Sequence, residues 1–197
     1  MSDSIVRDPT TGDGAHVSTA GRISTSAVGR DEIQQRSVEG NVYSLQTSII
    51  TLTNTTETPL MYIKNNEPVD IRISIVAWWT SVSTGGASGR TILTAYSNAT
   101  GGTIISEAND TGVNVNRRIG DSAQILADVY EGGVGKTVTG GVVSGRTISP
   151  AGLPLRLPIE IVVARGNTIT ITAIAPDSNT SMETVLGITA YPIDEDM

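Results

Sequence analysis

Cysteine and phenylalanine are absent from this 197-residue chain, and histidine occurs only once. Without cysteine the chain can form no disulfide framework, no thiolate metal site and no cysteine nucleophile. The single histidine, His16, lies in a polar N-terminal stretch, so we do not expect a catalytic triad or a histidine-based metal site. The lack of cysteine also fits synthesis in a reducing cytoplasm.

Long apolar runs and basic clusters are lacking as well. No run approaches the roughly 18 apolar residues of a membrane span, and the start MSDSIVRDPTTGDG has neither the basic nor the apolar part of a signal peptide. The formal net charge is −7, and no basic cluster exceeds Arg117-Arg118. We therefore expect no membrane and no nucleic acid among the partners, and any release from a cell through lysis or a dedicated route.

The chain instead contains many short alternating runs that are separated by turn residues, with 21 glycines and 8 prolines. This pattern favours a β-sandwich or barrel over helices. Strands are predicted at residues 41–54, 60–64, 69–80, 91–97, 123–130, 155–164, 168–175 and 184–191. Arg165-Gly166-Asn167 is predicted to join the sixth and seventh of these as a hairpin. About eight strands are typical of a jelly roll or a related sandwich.

The strongest strand signal is VDIRISIVAWWT, residues 69–80. Its period-2 alternation of β-branched and aromatic residues predicts a central strand with one buried face. The face expected in the core carries Ile71, Ile73, Ile75, Ala77 and Trp79. Trp78 shares the opposite face with Arg72 and Ser74, where a loop, the chain's own arm, a subunit or a ligand would cover it.

The composition changes at Asn41. Residues 1–40 contain only isolated isoleucine and valine, so we expect an extended N-terminal arm that is disordered alone or ordered against a partner, with a short helical turn within residues 30–36. Residues 41–192 are predicted to form one antiparallel, jelly-roll-like β-sandwich. Residues 107–120 should be irregular, residues 131–150 a long loop or thin edge hairpin, and residues 193–197 an acidic tail.

Candidate chemical motifs are weak. EGGVGKT, residues 131–137, approaches the phosphate-binding pattern G-x-x-x-x-G-K-[ST], but Tyr130 stands where the pattern needs glycine, and a poor helix sequence follows. Asn109-Asp110 and Asp121 offer oxygen ligands at a spacing that matches no calcium loop. We therefore expect no catalytic residues, no cofactor and no metal.

The arm AGRISTSAVGRDEIQQRSVEGNVYSL, which enters a threonine-rich sandwich, resembles small virion proteins of tailed phages and related viruses. Among these it is most similar to capsid decoration (cement) proteins with a jelly-roll body. The resemblance is one of layout and composition, and it carries over no single residue. It implies a homotrimer on the outer capsid surface whose arms lie across subunits of the major capsid protein. The candidate partner contacts are Trp78, Arg22, Ile23, Arg30, Ile33 and Arg36.

Two other interpretations stay open. One is a fibre or baseplate module that binds a receptor, which should form long intertwined trimer contacts. The other is a carbohydrate-binding or hydrolase sandwich, with Trp78, Tyr96 and Tyr130 as aromatic platforms or with paired carboxylates. An enzyme should show a concave pocket with convergent perturbed carboxylates, whereas a decoration protein should show an arm and a flat contact base.

Overall fold

A computed structural model describes residues 4–7, 14–17, 23–24, 32–52, 56–82, 90–106, 113–150, 160–175 and 182–193. The chain divides into two compact units, residues 1–35 and 36–197. In the first unit, β1 (Ser4–Arg7), β2 (Gly14–Val17) and β3 (Ile23–Ser24) form an antiparallel three-stranded sheet. The expected arm therefore pairs with itself, which its composition did not predict. The expected helical turn is confirmed within α1 (Glu32–Glu39).

In the described residues, the second unit is an all-β sandwich that also contains the end of α1 and the short helix α2. Its elements are β4 (Tyr43–Gln46), β5 (Ile50–Leu52), β6 (Thr58–Asn65), β7 (Asp70–Val82), β8 (Arg90–Gly101), α2 (Thr103–Ser106), β9 (Val113–Asn116), β10 (Ala127–Glu131), β11 (Thr139–Pro150), β12 (Glu160–Val163), β13 (Thr168–Ile174) and β14 (Met182–Ile193). Sheet I has the order β10-β6-β13-β8-β11, and sheet II has the order β12-β7-β14-β4-β9, with β5 also paired to β14. Of the helices in the described residues, none has the length and apolarity that crossing a membrane requires.

The strand pairing is that of one long hairpin rolled up on itself. β4 and β5 pair with β14, β6 with β13, β7 with β12, and β8 with β11. The first strand of the body thus pairs with the last, and the pairing continues inward in the same nested order. If β4 and β5 are counted as one interrupted strand, these are eight strands in two packed sheets, which form a jelly roll. The predicted fold class is confirmed, and β9 and β10 each extend one edge of a sheet.

The core lies between the two sheets. Side chains from both inner faces form one apolar cluster in which Leu45, Ile63, Ile71 and Ile171 are completely buried. The alternation in β14 shows how the sequence produces this face, because its buried side chains recur at every second position through most of the strand. Each fully buried leucine or isoleucine contributes about 1.5–3 kcal/mol relative to an exposed one.

One extra residue interrupts the pairing of β7 with β14. Gly187 pairs with Ala77, but the next residue of β14, Ile188, pairs with Ile75, so Val76 stands between them without a counterpart. Such a β-bulge shifts the alternation of side chains by one residue. Before the bulge the odd-numbered residues of β7 therefore face the core, whereas beyond it the even-numbered residues do.

The bulge reverses the predicted positions of the two tryptophans. Ile71 and Ile73 precede it and are buried, as predicted. Beyond it, Trp78 faces the core and is 1% exposed, whereas Trp79 faces outward and is 48% exposed. The prediction that Trp79 is a core residue and that Trp78 projects from the polar face is wrong. The side chains of residues 75–77, which were also assigned to a face, lie outside the description.

The turn at Arg165-Gly166-Asn167 is not a hairpin. β12, before the turn, pairs with β7 in sheet II, whereas β13, after it, pairs with β6 and β8 in sheet I. Gly166 has a φ of 76° and donates its amide hydrogen to the carbonyl of Asn65. The hairpin prediction is wrong because a tight turn describes the local change of chain direction, not the sheet that the next strand joins.

Other expectations are refined by the pairing. Residues 107–120 were expected to be irregular, but β9 forms there and pairs with β4 at the edge of sheet II. In the glycine-rich residues 131–150, β11 is the edge strand of sheet I, in line with the expected edge position. The predicted strand at residues 155–164 is described from Glu160 onward. Most of the acidic tail, residues 194–197, lies outside the description.

Candidate binding surfaces

Trp78 is a core residue rather than a partner contact. Its indole Nε1 donates a hydrogen bond of 2.9 Å to Oγ1 of Thr184, and the same hydroxyl donates to the carbonyl of Trp79 at 3.0 Å. A buried indole needs such a partner for its N–H group. The proposed contact role of Trp78 is therefore corrected, because no part of a partner can reach the ring in the folded body.

Trp79 projects from the outer face of sheet II. Its neighbour across the β7–β14 ladder is Val185. On β9 of the same sheet, Val113 and Val115 are also about half exposed. Tryptophan is enriched at binding contacts because it offers a large rigid surface. This face is therefore a stronger candidate for binding than the position predicted from the sequence.

A groove of about 330 Å³ opens beside Trp79, a volume within the range of small-ligand sites. We call it the Trp79 groove; its lining side chains are Trp79, Val185, Thr189, Ser44, Gln46 and Arg117. Gly187 takes the outward position of β14 between Val185 and Thr189 and has no side chain to fill the space. Because the strand order is β7-β14-β4-β9, Trp79 stands at one side of the groove and Arg117 at the other.

Arg117 is held in place at its side of the Trp79 groove. Its backbone amide donates to the carbonyl of Val42 at 2.8 Å, and its Nη1 donates to Oγ1 of Thr189 at 3.3 Å. A guanidinium carries five N–H donors, so this bond leaves several for a ligand. Ser44 and Gln46 lie next to it on β4 and pair with Thr189 and Gly187. This side of the groove therefore offers both donors and acceptors.

Arg36 is buried in the body and is not a free contact. It is 4% exposed, and its Nη1 donates to the carbonyl of Pro192 at 2.7 Å. Its guanidinium also lies 5.4 Å from the centroid of the Tyr191 ring, within the range of a cation–π interaction. The predicted partner role is corrected, because the charge of Arg36 is already used to hold the C-terminal end of α1 on β14.

The remaining predicted contacts are described only in part. Arg22 and Arg30 lie outside the described residues, and Ile23 begins β3 without a described side chain. Ile33 is partly buried on α1. His16 lies on β2, opposite Ile5 and Ser24 in the backbone register.

A second surface covers the outer face of sheet I. The strand registers place one row across all five strands: Tyr130, Tyr62, Thr170, Tyr96 and Val143. The rings of Tyr62 and Tyr130 stack with centroids 5.6 Å apart and planes 6° apart. Two of the three aromatic platforms expected for carbohydrate binding, Tyr96 and Tyr130, thus lie in one row and are partly exposed, but Tyr62 and Thr170 between them are buried. The third, Trp78, lies in the core.

Tyr96 acts as a hydrogen-bond donor on this face. Tyr96 donates its hydroxyl hydrogen to the carboxylate of Glu57 at 2.9 Å, and Thr172 donates to the same oxygen at 2.6 Å. Burial, followed by the hydrogen bond to Glu57, raises the pKa of Tyr96. Burial also raises the pKa of Tyr62. Both hydroxyls therefore keep their protons to a higher pH than a free tyrosine does.

The secondary structure and hydrogen bonds around the weak sequence motifs do not support a phosphate-binding or calcium-binding role. Residues 132–138 connect β10 directly with β11, so the EGGVGKT segment does not open the helix that a phosphate-binding loop needs. Asp121 accepts a hydrogen bond from the amide of Ala123 at 2.9 Å, as in an ordinary turn, and residues 109–110 lie outside the description. Within the described ranges, no group of three or more histidine, aspartate or glutamate side chains could hold a metal ion.

The sequence contains one local signal for the Trp79 groove. Two consecutive strand residues must face opposite ways, so the Trp78-Trp79 pair requires one exposed indole in either register. The polar lining has no such signal, because Gln46, Arg117 and Thr189 come from separate segments that only the β4–β14 and β4–β9 pairings bring together.

Comparison with protein-family models, with curated proteins and with solved structures finds no match to this chain. A shared jelly roll alone does not define a function, because the same fold carries many. The function is therefore inferred from the layout of the chain and from the chemistry of its surfaces.

Proposed function

We propose that the protein is a structural virion protein that binds the outer capsid surface and stabilises it, as a decoration or cement protein acting by binding alone. The observation that carries the proposal is the layout of the chain, in which a small separate N-terminal unit precedes a jelly-roll body. Jelly rolls recur in viral capsid proteins. A separate N-terminal unit suits attachment to a neighbouring protein.

The attachment of the C-terminal end of α1 to the body supports this role. Arg36 fixes the end of α1 to β14 through Pro192 and Tyr191, so the preceding segment starts from a defined point on the body. The N-terminal unit has its own sheet of β1, β2 and β3, and a sheet edge can gain backbone hydrogen bonds from a strand of a neighbouring protein.

The proposed partner is the major capsid protein, and the proposed assembly is a homotrimer made in the host cytoplasm. Three N-terminal units on one trimer would raise the avidity for a repeating lattice by about 10²–10⁴ over one unit. The net charge of −7 disfavours contact with packaged nucleic acid and favours the outer face of the capsid.

Sedimentation of the protein with capsids that lack it tests the proposal. We expect the full-length chain to form a trimer and to pellet with the capsids. A variant without residues 1–31 keeps α1 and Arg36, so it should still fold and trimerise but should no longer pellet. A variant without residues 194–197 is the matched control and should bind as the full chain does. A stable monomer would contradict the trimer, and unchanged binding of the N-terminal deletion would contradict attachment through that unit.

A further inference from the structure

The Trp79 groove has two chemically different sides. Trp79 and Val185 provide an apolar side on β7 and β14, and the indole of Trp79 is about half exposed. Ser44, Gln46 and Arg117 provide a polar side on β4 and after β9. A ligand that fits must therefore carry an apolar face and a polar edge within one small rigid unit.

A pyranose ring has this combination. Its axial C–H groups form an apolar face that packs against an indole, and its equatorial hydroxyls point outward around the ring edge. Each hydroxyl both donates and accepts a hydrogen bond. A guanidinium supplies donors only, whereas the Gln46 amide and the Ser44 hydroxyl supply both donors and acceptors.

We propose that the Trp79 groove binds a saccharide, with one pyranose ring stacked on Trp79 and its hydroxyls bonded by Arg117, Gln46 and Ser44. The volume of about 330 Å³ holds one ring and leaves the groove open at the surface for a longer chain. Gly187 makes this possible, because a side chain at that position would occupy the floor between Val185 and Thr189.

The charge of the protein favours a saccharide over a nucleic-acid base as the ligand of the Trp79 groove. A nucleic-acid base could also stack on Trp79, but its phosphates need several cations, whereas the groove contains one arginine and the chain has a net charge of −7. A neutral sugar has no such requirement. This binding activity goes beyond attachment to a capsid and does not depend on it.

Binding of the full-length protein to an array of immobilised oligosaccharides tests the proposal. The array contains glucose, galactose, mannose and their N-acetylated amino sugars, and the strongest binder is then titrated free in solution by calorimetry. We expect binding of at least one saccharide, with half-saturation in the millimolar range or below, as for a site that contacts one small ring. No binding to any saccharide at millimolar concentration would overturn the proposal.

Three variants locate the site. Trp79→Ala should weaken binding at least tenfold, Trp79→Phe should retain part of it, and Arg117→Ala should weaken it by several-fold. Val142→Ala removes a side chain that is 73% exposed on β11 of the other sheet, and it should change affinity by less than twofold. Thermal unfolding of each variant establishes that it is folded. Binding that survives both Trp79→Ala and Arg117→Ala would place the saccharide elsewhere and overturn the proposal.

Discussion

The indole nitrogen of Trp78 donates a hydrogen bond of 2.9 Å to the hydroxyl of Thr184, across the ladder between β7 and β14. Thr184 is itself buried, and it donates to the carbonyl of Trp79 at 3.0 Å. One threonine thus satisfies the only polar atom of a core indole and links two neighbouring residues. The bond also holds β7 in the shifted register that the bulge at Val76 produces.

The two tryptophans should contribute very differently to stability. We expect Trp78→Ala to lower the free energy of unfolding by about 3–5 kcal/mol, because it leaves a cavity in the core. Trp79→Ala removes a half-exposed ring and should cost less, about 1–2 kcal/mol. Denaturant unfolding of both variants measures the difference. Equal losses, or a larger loss for Trp79→Ala, would contradict the positions described above.

The alternation of apolar residues predicted most of the sandwich correctly. β6, β7, β13 and β14 formed where it placed them. In β13 the core residues recur at every second position, whereas β7 keeps this period only on either side of its bulge. It predicted the wrong tryptophan for the core because a bulge depends on the partner strand, and nothing near Val76 in the sequence specifies the mismatch. The hairpin at Arg165-Gly166-Asn167 failed for a similar reason, since the choice of sheet depends on β6, β7 and β8, which are distant in sequence.

The candidate sites were harder to predict than the fold. Tyr96 and Tyr130 were selected as exposed aromatics, and the registers of sheet I do place them in one row. Arg36 was chosen for its charge within a polar segment, but its burial depends on Tyr191 and Pro192, which lie about 155 residues later in the chain. A pattern among neighbouring residues in the sequence cannot predict a contact between such distant parts of the chain.

Asn65 should be among the most sensitive polar positions. It is fully buried, and its Nδ2 donates to the carbonyls of Val69 and Val163 at 3.0 and 2.8 Å, while its Oδ1 accepts from the amide of Glu67. Asn65→Ala leaves these groups without a partner, so we expect a loss of at least about 3 kcal/mol in denaturant unfolding.

The neighbouring residue provides a matched control. Asn66 is exposed, and its Nδ2 donates to Asp128 at the surface. Asn66→Ala should change the free energy of unfolding by less than about 1 kcal/mol. Similar effects of the two substitutions would show that the buried bonds of Asn65 do not stabilise the connection between β6 and β7.

Arg36 should stabilise the body although it lies in a polar segment. Arg36→Ala removes the hydrogen bond to Pro192 and the contact with the Tyr191 ring, so we expect a loss of about 2–3 kcal/mol. Arg165→Ala removes an exposed arginine and should cost less than about 0.5 kcal/mol. Urea unfolding compares the two variants. A negligible effect of Arg36→Ala would mean that α1 is not fixed to β14.

Alkaline pH should destabilise the protein through its tyrosines. The pKa of Tyr96 is raised by burial and by the hydrogen bond to Glu57, and burial raises the pKa of Tyr62, so the folded state keeps protons that the unfolded state loses. This contribution is fully present below the unfolded pKa of about 10 and is lost as pH rises through the folded pKa. We expect the midpoint of urea unfolding to fall above about pH 10.

Tyr96→Phe tests how much Tyr96 contributes to stability at neutral pH and to its decline at alkaline pH. The variant loses the bond to Glu57 and should be less stable at neutral pH, and its stability should then decline less steeply above about pH 10 than that of the unchanged protein. Parallel curves for the two proteins over this range would exclude Tyr96 as a source of the pH dependence.

An electron cryomicroscopy map of the assembled particle is the most direct test of the proposed function. The proposal predicts jelly-roll densities in groups of three on the outer capsid surface, each with N-terminal density that runs onto neighbouring subunits of the major capsid protein. Density only at a fibre tip or baseplate, or no density on the particle, would contradict it.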